Sequence, residues 1–92
     1  MKQELVAGES VDALRRAFAA FDWKRRKGRL KCSVHLEAEL AEPFVRALMR
    51  VEAELLLQDA DLVGKPDTTL RTPEERRADA LLALGLRLAD AG

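Results

Sequence analysis

The sequence predicts a small, mainly α domain with one short strand, and three observations predict it. Leu36, Leu40, Phe44, Leu48, Val51, Leu55 and Leu62 recur at the period of one helix face. Leu30, Cys32, Val34 and Leu36 alternate with Lys31, Ser33 and His35, the period-two pattern of a half-buried strand. Thr72-Pro73-Glu74-Glu75 places a capping threonine before a proline at the first helical position, with Glu75 spaced to reach back to the Thr72 amide. About three helices are expected, over 11–23, 39–62 and 73–89, with the strand over 29–36.

Taken in order, residues 1–8 read as a flexible arm. Ser10 can cap the first helix, and Asp12 suits the positive end of its dipole. Val11, Leu14, Ala17, Phe18 and Phe21 share a face, and Trp23 ends the helix beside a basic run. On the main helix, Val45, Met49 and Leu56 widen the apolar stripe. Pro43 fits either a start near 39–42 or a start at Glu37 with a bend at the proline, because it lacks an N–H and clashes with the carbonyl four residues back. Gly64 supplies a left-handed stop and Pro66 bars continuation. In the last helix Ala78, Leu81, Leu82, Gly85 and Leu88 share a face, and Ala80, Ala83, Leu84 and Leu86 cover most of the rest. A helix apolar nearly all round is expected to be covered on several sides, here by a second subunit.

The 92 residues suit a single domain with a modest core. Net charge is zero, but its distribution is uneven: residues 1–31 hold nine cations and four acids, whereas residues 32–68 hold three cations and eight acids. One end can therefore steer a polyanion, or the two ends can pair. The single cysteine, Cys32, excludes an internal disulfide and fits a reducing cytoplasm. No signal peptide or apolar run of membrane-spanning length is read, so a cytoplasmic protein without membrane contact is expected.

Lys24, Arg25, Arg26, Lys27 and Arg29, with Lys31 just beyond, form the candidate phosphate-binding region, sequence-blind and salt-dependent. The alternative is a solvated turn, or a surface that pairs with the acidic main helix. A strand without a partner leaves its backbone groups unpaired, and pairing with a second copy across a two-fold axis would satisfy them. A homodimer is therefore expected, with Leu30, Cys32, Val34, Leu81, Leu84, Gly85 and Leu88 at the interface. Ser33 and His35 would then join Lys31 on the polar face.

Several chemistries find no support. There is no glycine-rich phosphate loop and no Cys/His cluster with metal spacing. Cys32 and His35 would point to opposite faces of a strand, so they do not make a nucleophile–base pair. Asp59-Ala60-Asp61 is not followed by a glycine-turned calcium loop. A non-enzyme with no cofactor and no metal is expected.

Gly28-Arg29-Leu30 to Leu36, Glu39 to Leu48, and above all Arg71-Thr72-Pro73 with Arg76-Arg77-Ala78-Asp79-Ala80-Leu81 resemble the C-terminal half of an actinobacterial domain of unknown function found upstream of HNH endonuclease modules. That resemblance implies a nucleic-acid-associated accessory domain and carries over no catalytic residue. The order of strand, helix, loop and capped helix is also similar to ribbon–helix–helix DNA-binding dimers. This second resemblance implies that Lys31, Ser33 and His35 face the major groove. The expected role is thus a non-catalytic regulatory or accessory protein that binds nucleic acid through residues 24–31. Its rival is a protein-interaction module that docks a partner through the apolar C-terminal helix.

Overall fold

A computed structural model describes residues 4–66 and 69–91. The chain runs β1 (Leu5–Val6), β2 (Glu9–Ser10), α1 (Val11–Ala19), β3 (Phe21–Arg26), β4 (Arg29–Val34), α2 (Ala38–Ala60) and α3 (Pro73–Asp90). The fold is α+β, with two separate antiparallel hairpins, which corrects the expectation of a mainly α chain with one strand.

Part of the expected N-terminal arm is ordered. Leu5 and Val6 pair with Ser10 and Glu9 across a turn in which Ala7 and Gly8 both have positive φ. Val6 is buried, so hydrophobic burial joins the ladder in holding this segment down. The remainder of the expected arm, residues 1–3, lies outside the described residues.

The Ser10 hydroxyl accepts from the Ala13 amide at 3.4 Å and starts α1 as expected. The helix ends at Ala19 rather than at Trp23, because Ala20 closes it and Phe21 enters a strand. Trp23 and Lys24–Arg26 therefore belong to β3. This strand pairs in full register with β4, from Phe21 opposite Val34 to Arg26 opposite Arg29. The strand read at 29–36 is not alone: its partner lies in the same chain. The argument from an unpaired strand to a two-fold ribbon loses its premise, and so does the strand arrangement of the ribbon–helix–helix resemblance.

Helix α2 begins at Ala38, so Pro43 lies within it. It ends at Ala60 with Asp61 as a right-handed cap; Gly64, although its φ is positive, lies in the turns beyond rather than at the cap. The capping box at Thr72 is complete: its hydroxyl accepts from the Glu75 amide at 3.1 Å, and the Glu75 carboxylate accepts from the Thr72 amide at 3.1 Å. The core joins Val6, Val11, Leu14 and Ala17 to Phe44, Ala47 and Val51 of α2 and Ala80, Leu84 and Leu88 of α3. On α3 the buried stripe is thus Ala80–Leu84–Leu88. Ala78 and Leu82, read on the buried face, are exposed. Val45, Met49 and Leu56 also remain exposed, so the stripe of α2 is narrower than its apolar residues allow.

Ion pairs knit the helical body. The Asp59 carboxylate, buried at the end of α2, lies 3.3 Å from Arg76 and 3.7 Å from Arg71. Glu52 meets Arg77 at 3.3 Å and Glu54 meets Arg87 at 2.5 Å. The radius of gyration is 14.9 Å, against about 12 Å for a compact chain of this length, because the β3–β4 hairpin projects from the helices. Among the described residues no helix is long and apolar enough to cross a membrane.

Candidate nucleic-acid interface

The hairpin is anchored at its base by aromatic rings. Phe21 stacks on Phe18 of α1, with centroids 5.2 Å apart, and meets Phe44 of α2 edge-on at 5.4 Å. Such pairs contribute about 0.5–1.5 kcal/mol each beyond their area. Trp23 continues the stack outward, 5.7 Å from Phe21 with 23° between the ring planes.

At the far end, Lys27 and Gly28 form a two-residue turn with φ of +48° and +76°. Positive φ at both central residues gives the twist that joins antiparallel strands directly. Gly28 enters this region without cost, whereas Lys27 carries the penalty of a Cβ.

Register assigns the faces, because directly opposed residues in an antiparallel ladder share one side. One face carries Phe21, Trp23 and Arg25 opposite Val34, Cys32 and Leu30. The other carries Asp22, Lys24 and Arg26 opposite Ser33, Lys31 and Arg29. The second face therefore sets Lys24 against Lys31 and Arg26 against Arg29, two like-charge pairs across the strands. Opposed like charges destabilise a ladder. All of Lys24, Arg25, Arg26, Lys27, Arg29 and Lys31 are exposed. Lys24 lies 3.8 Å from Asp22, and among the described residues the other five form no salt bridge.

This geometry bears on the alternative in which the basic run pairs with the acidic helix. Glu52, Glu54 and Asp59 are engaged by Arg77, Arg87, Arg71 and Arg76 of α3 and its approach, not by the hairpin. Glu9 of β2 is likewise taken, by Arg46 and Arg50.

Of the residues assigned to the site, Ser33 sits on the cationic face opposite Asp22, and His35 lies just past the end of β4, exposed in the link to α2. Cys32 is half-buried opposite Trp23. Burial pushes its thiol up, and the Asp22 carboxylate adds to the shift, so the side chain is held as a neutral thiol. Among the described residues no three His, Cys, Asp or Glu side chains come together to hold a metal ion.

The expected subunit interface divides. Leu84 and Leu88 are core residues of the single chain, already covered by its own helices and first hairpin. Leu81 and Gly85 are half-buried, and Leu30, Cys32 and Val34 lie on the apolar face of the hairpin. Between that face and the helices runs a cleft of about 530 Å³, lined by Phe21, Cys32, Val34, Phe44, Leu48 and Leu81 among others. A smaller cleft of about 340 Å³ lies beside Trp23, with Phe18, Leu81, Leu82, Gly85 and Leu86 as its other walls.

Sequence reasoning placed Trp23 at the end of a helix, whereas it lies exposed within β3 beside the cationic run. The local trace of the hairpin is Gly28 between the short alternation Phe21-Asp22-Trp23-Lys24 and the longer one from Arg29 to Val34.

Set against known proteins, the chain matches no family model, no curated protein and no solved structure at a significant level.

Proposed function

We propose that the protein binds nucleic acid through its phosphates, using the β3–β4 hairpin as a basic arm, in a regulatory or accessory role without catalysis. One observation carries the reading: five exposed cations of the hairpin lack acid partners among the described residues, while the acids Glu9, Glu52, Glu54 and Asp59 are engaged elsewhere. A cationic surface left uncompensated and held on a narrow two-stranded ribbon suits a polyanion. Contacts of this kind position a protein on the backbone and carry no sequence information. A cytoplasmic setting fits the single reduced thiol, Cys32.

A second reading has its own observation. Leu82 and Leu86, one turn apart on α3, are 67% and 69% exposed. A protein partner docked on α3 would cover them.

Fluorescence anisotropy with mixed-sequence DNA, as a single strand and as a duplex, at about 50 and 200 mM salt tests the first reading. The comparison is with a variant carrying Lys24→Gln, Arg26→Gln, Arg29→Gln and Lys31→Gln. These changes remove the opposed like charges, so the hairpin should fold at least as well. Binding that weakens steeply with salt, with a log–log slope shallower by roughly 3 in the variant, is expected. Absence of binding at the lower salt, or equal binding by both proteins, would overturn the reading and favour partner docking.

A further inference from the structure

We infer that the nucleic acid taken by the hairpin is single-stranded, and that Trp23 is the platform on which an unpaired base stacks; this rests on the phosphate-binding reading of the hairpin.

Trp23 is 49% exposed although it is the largest apolar side chain in the sequence. Its orientation is nevertheless set. The ring stacks on Phe21, which stacks on Phe18 and is braced edge-on by Phe44. A ring held this way loses little further freedom when a ligand stacks on it, the condition under which aromatic contact yields affinity. The aromatic ladder climbs from the core and stops at Trp23.

The surroundings are those a base needs. Arg25 follows two residues on, on the same face of the ribbon, with Leu30 opposite it. The cleft beside Trp23 is walled on its far side by Leu82, Gly85 and Leu86 of α3. None of the six residues around it carries a charged side chain or an amide. Such a cleft can accept the flat face of a base but has little with which to read its edge. Recognition there is sequence-tolerant, as stacking is in proteins that hold single strands. In a duplex both faces of each base are covered by its neighbours in the stack, so an unpaired base is the form that fits. Arg25, on the same face, is the cation placed to meet the phosphate beside a stacked base, while Lys24, Arg26, Arg29 and Lys31 project from the opposite face of the ribbon.

Trp23 is the single tryptophan of the chain, so its own emission reports the contact. Titration with oligothymidylate and oligouridylate of about 15 nucleotides, and with a duplex of equal charge, should quench and shift that emission with the single strands and leave it nearly unchanged with the duplex. By anisotropy, Trp23→Ala should weaken single-strand binding about five- to 150-fold and duplex binding little. Trp23→Phe, which keeps a ring on the ladder, should recover much of the loss. Leu82→Asp, at an exposed position, should also weaken single-strand binding, without touching the hairpin's own contacts. Duplex binding as tight as single-strand binding, with Trp23→Ala neutral, would overturn the inference and leave the hairpin reading intact. Failure of every nucleic acid to bind would remove the hairpin reading, and the inference with it.

Discussion

The Glu9 carboxylate accepts a hydrogen bond from Arg50 at 2.7 Å and so ties the first hairpin to the middle of α2. Its other oxygen accepts from Arg46 at 2.8 Å, and Arg50 also donates to the Ala7 carbonyl at 2.7 Å. One buried carboxylate therefore joins two arginines and a turn into a single clamp.

The clamp makes stability depend on pH. Hydrogen bonding from Arg46 is the largest influence on Glu9 and, with Arg50, outweighs burial; it holds the carboxyl below its ordinary value of 4.5. A carboxyl whose folded pKa is depressed adds stability above its unfolded value and loses it as pH falls through the folded one. Thermal melts should therefore be level from neutral pH to about 5 and decline below the ordinary carboxylate range. Glu9→Gln should lower the melting temperature at neutral pH and flatten the decline. An unchanged pH profile in Glu9→Gln would show that other carboxylates govern the acid limb.

Gly8 and Gly28 form a matched pair of probes. Both have positive φ, +80° and +76°, so an alanine at either carries a backbone penalty of about 1–2 kcal/mol. A Cβ at Gly28 meets open space, whereas one at Gly8 would collide with the Arg50 guanidinium and push it from Glu9. Urea denaturation should show Gly8→Ala to be the more destabilising, and the excess should shrink in an Arg50→Ala background. Equal losses in both backgrounds would mean that Arg50 moves aside without cost.

The face that α3 buries can be checked by deletion. Leu84 is 0% exposed and Leu82 is 67% exposed. Leu84→Ala should cost about 2–5 kcal/mol in chemical denaturation, whereas Leu82→Ala should stay within about 0.5 kcal/mol. Comparable losses at the two positions would mean that Leu82 is covered in solution, by a partner or a second copy.

What the sequence makes legible follows from how local each cause is. Thr72 and Glu75 satisfy each other's amides within one turn, and Ser10 caps its own helix. These signals act over three or four residues and survive into the structure. Phe21 was ambiguous because it extends the Leu14–Ala17–Phe18 face at helical spacing and also opens an alternation with Trp23 and Arg25. Pairing with β4 decided between them, and that contribution comes from residues up to thirteen positions away. The cations of the site were visible as a run. Their division between two faces was not, since it depends on the register that the Lys27-Gly28 turn imposes. On α3, apolar residues nearly all round left the choice of buried stripe to tertiary packing, which settled on Ala80, Leu84 and Leu88.

The opposed pairs Lys24–Lys31 and Arg26–Arg29 place the outer half of the ribbon under repulsion. Opposed like charges weaken a ladder; on the proposed reading, a phosphate bound between them would turn that repulsion into attraction. On that reading, ordering of the tip and capture of a polyanion would be thermodynamically linked, each favouring the other. Added salt acts on the two halves of this linkage in opposite directions, screening the repulsion that frays the ribbon while competing for the cations. The salt sensitivity of binding should therefore be milder than a bare count of neutralised phosphates would give.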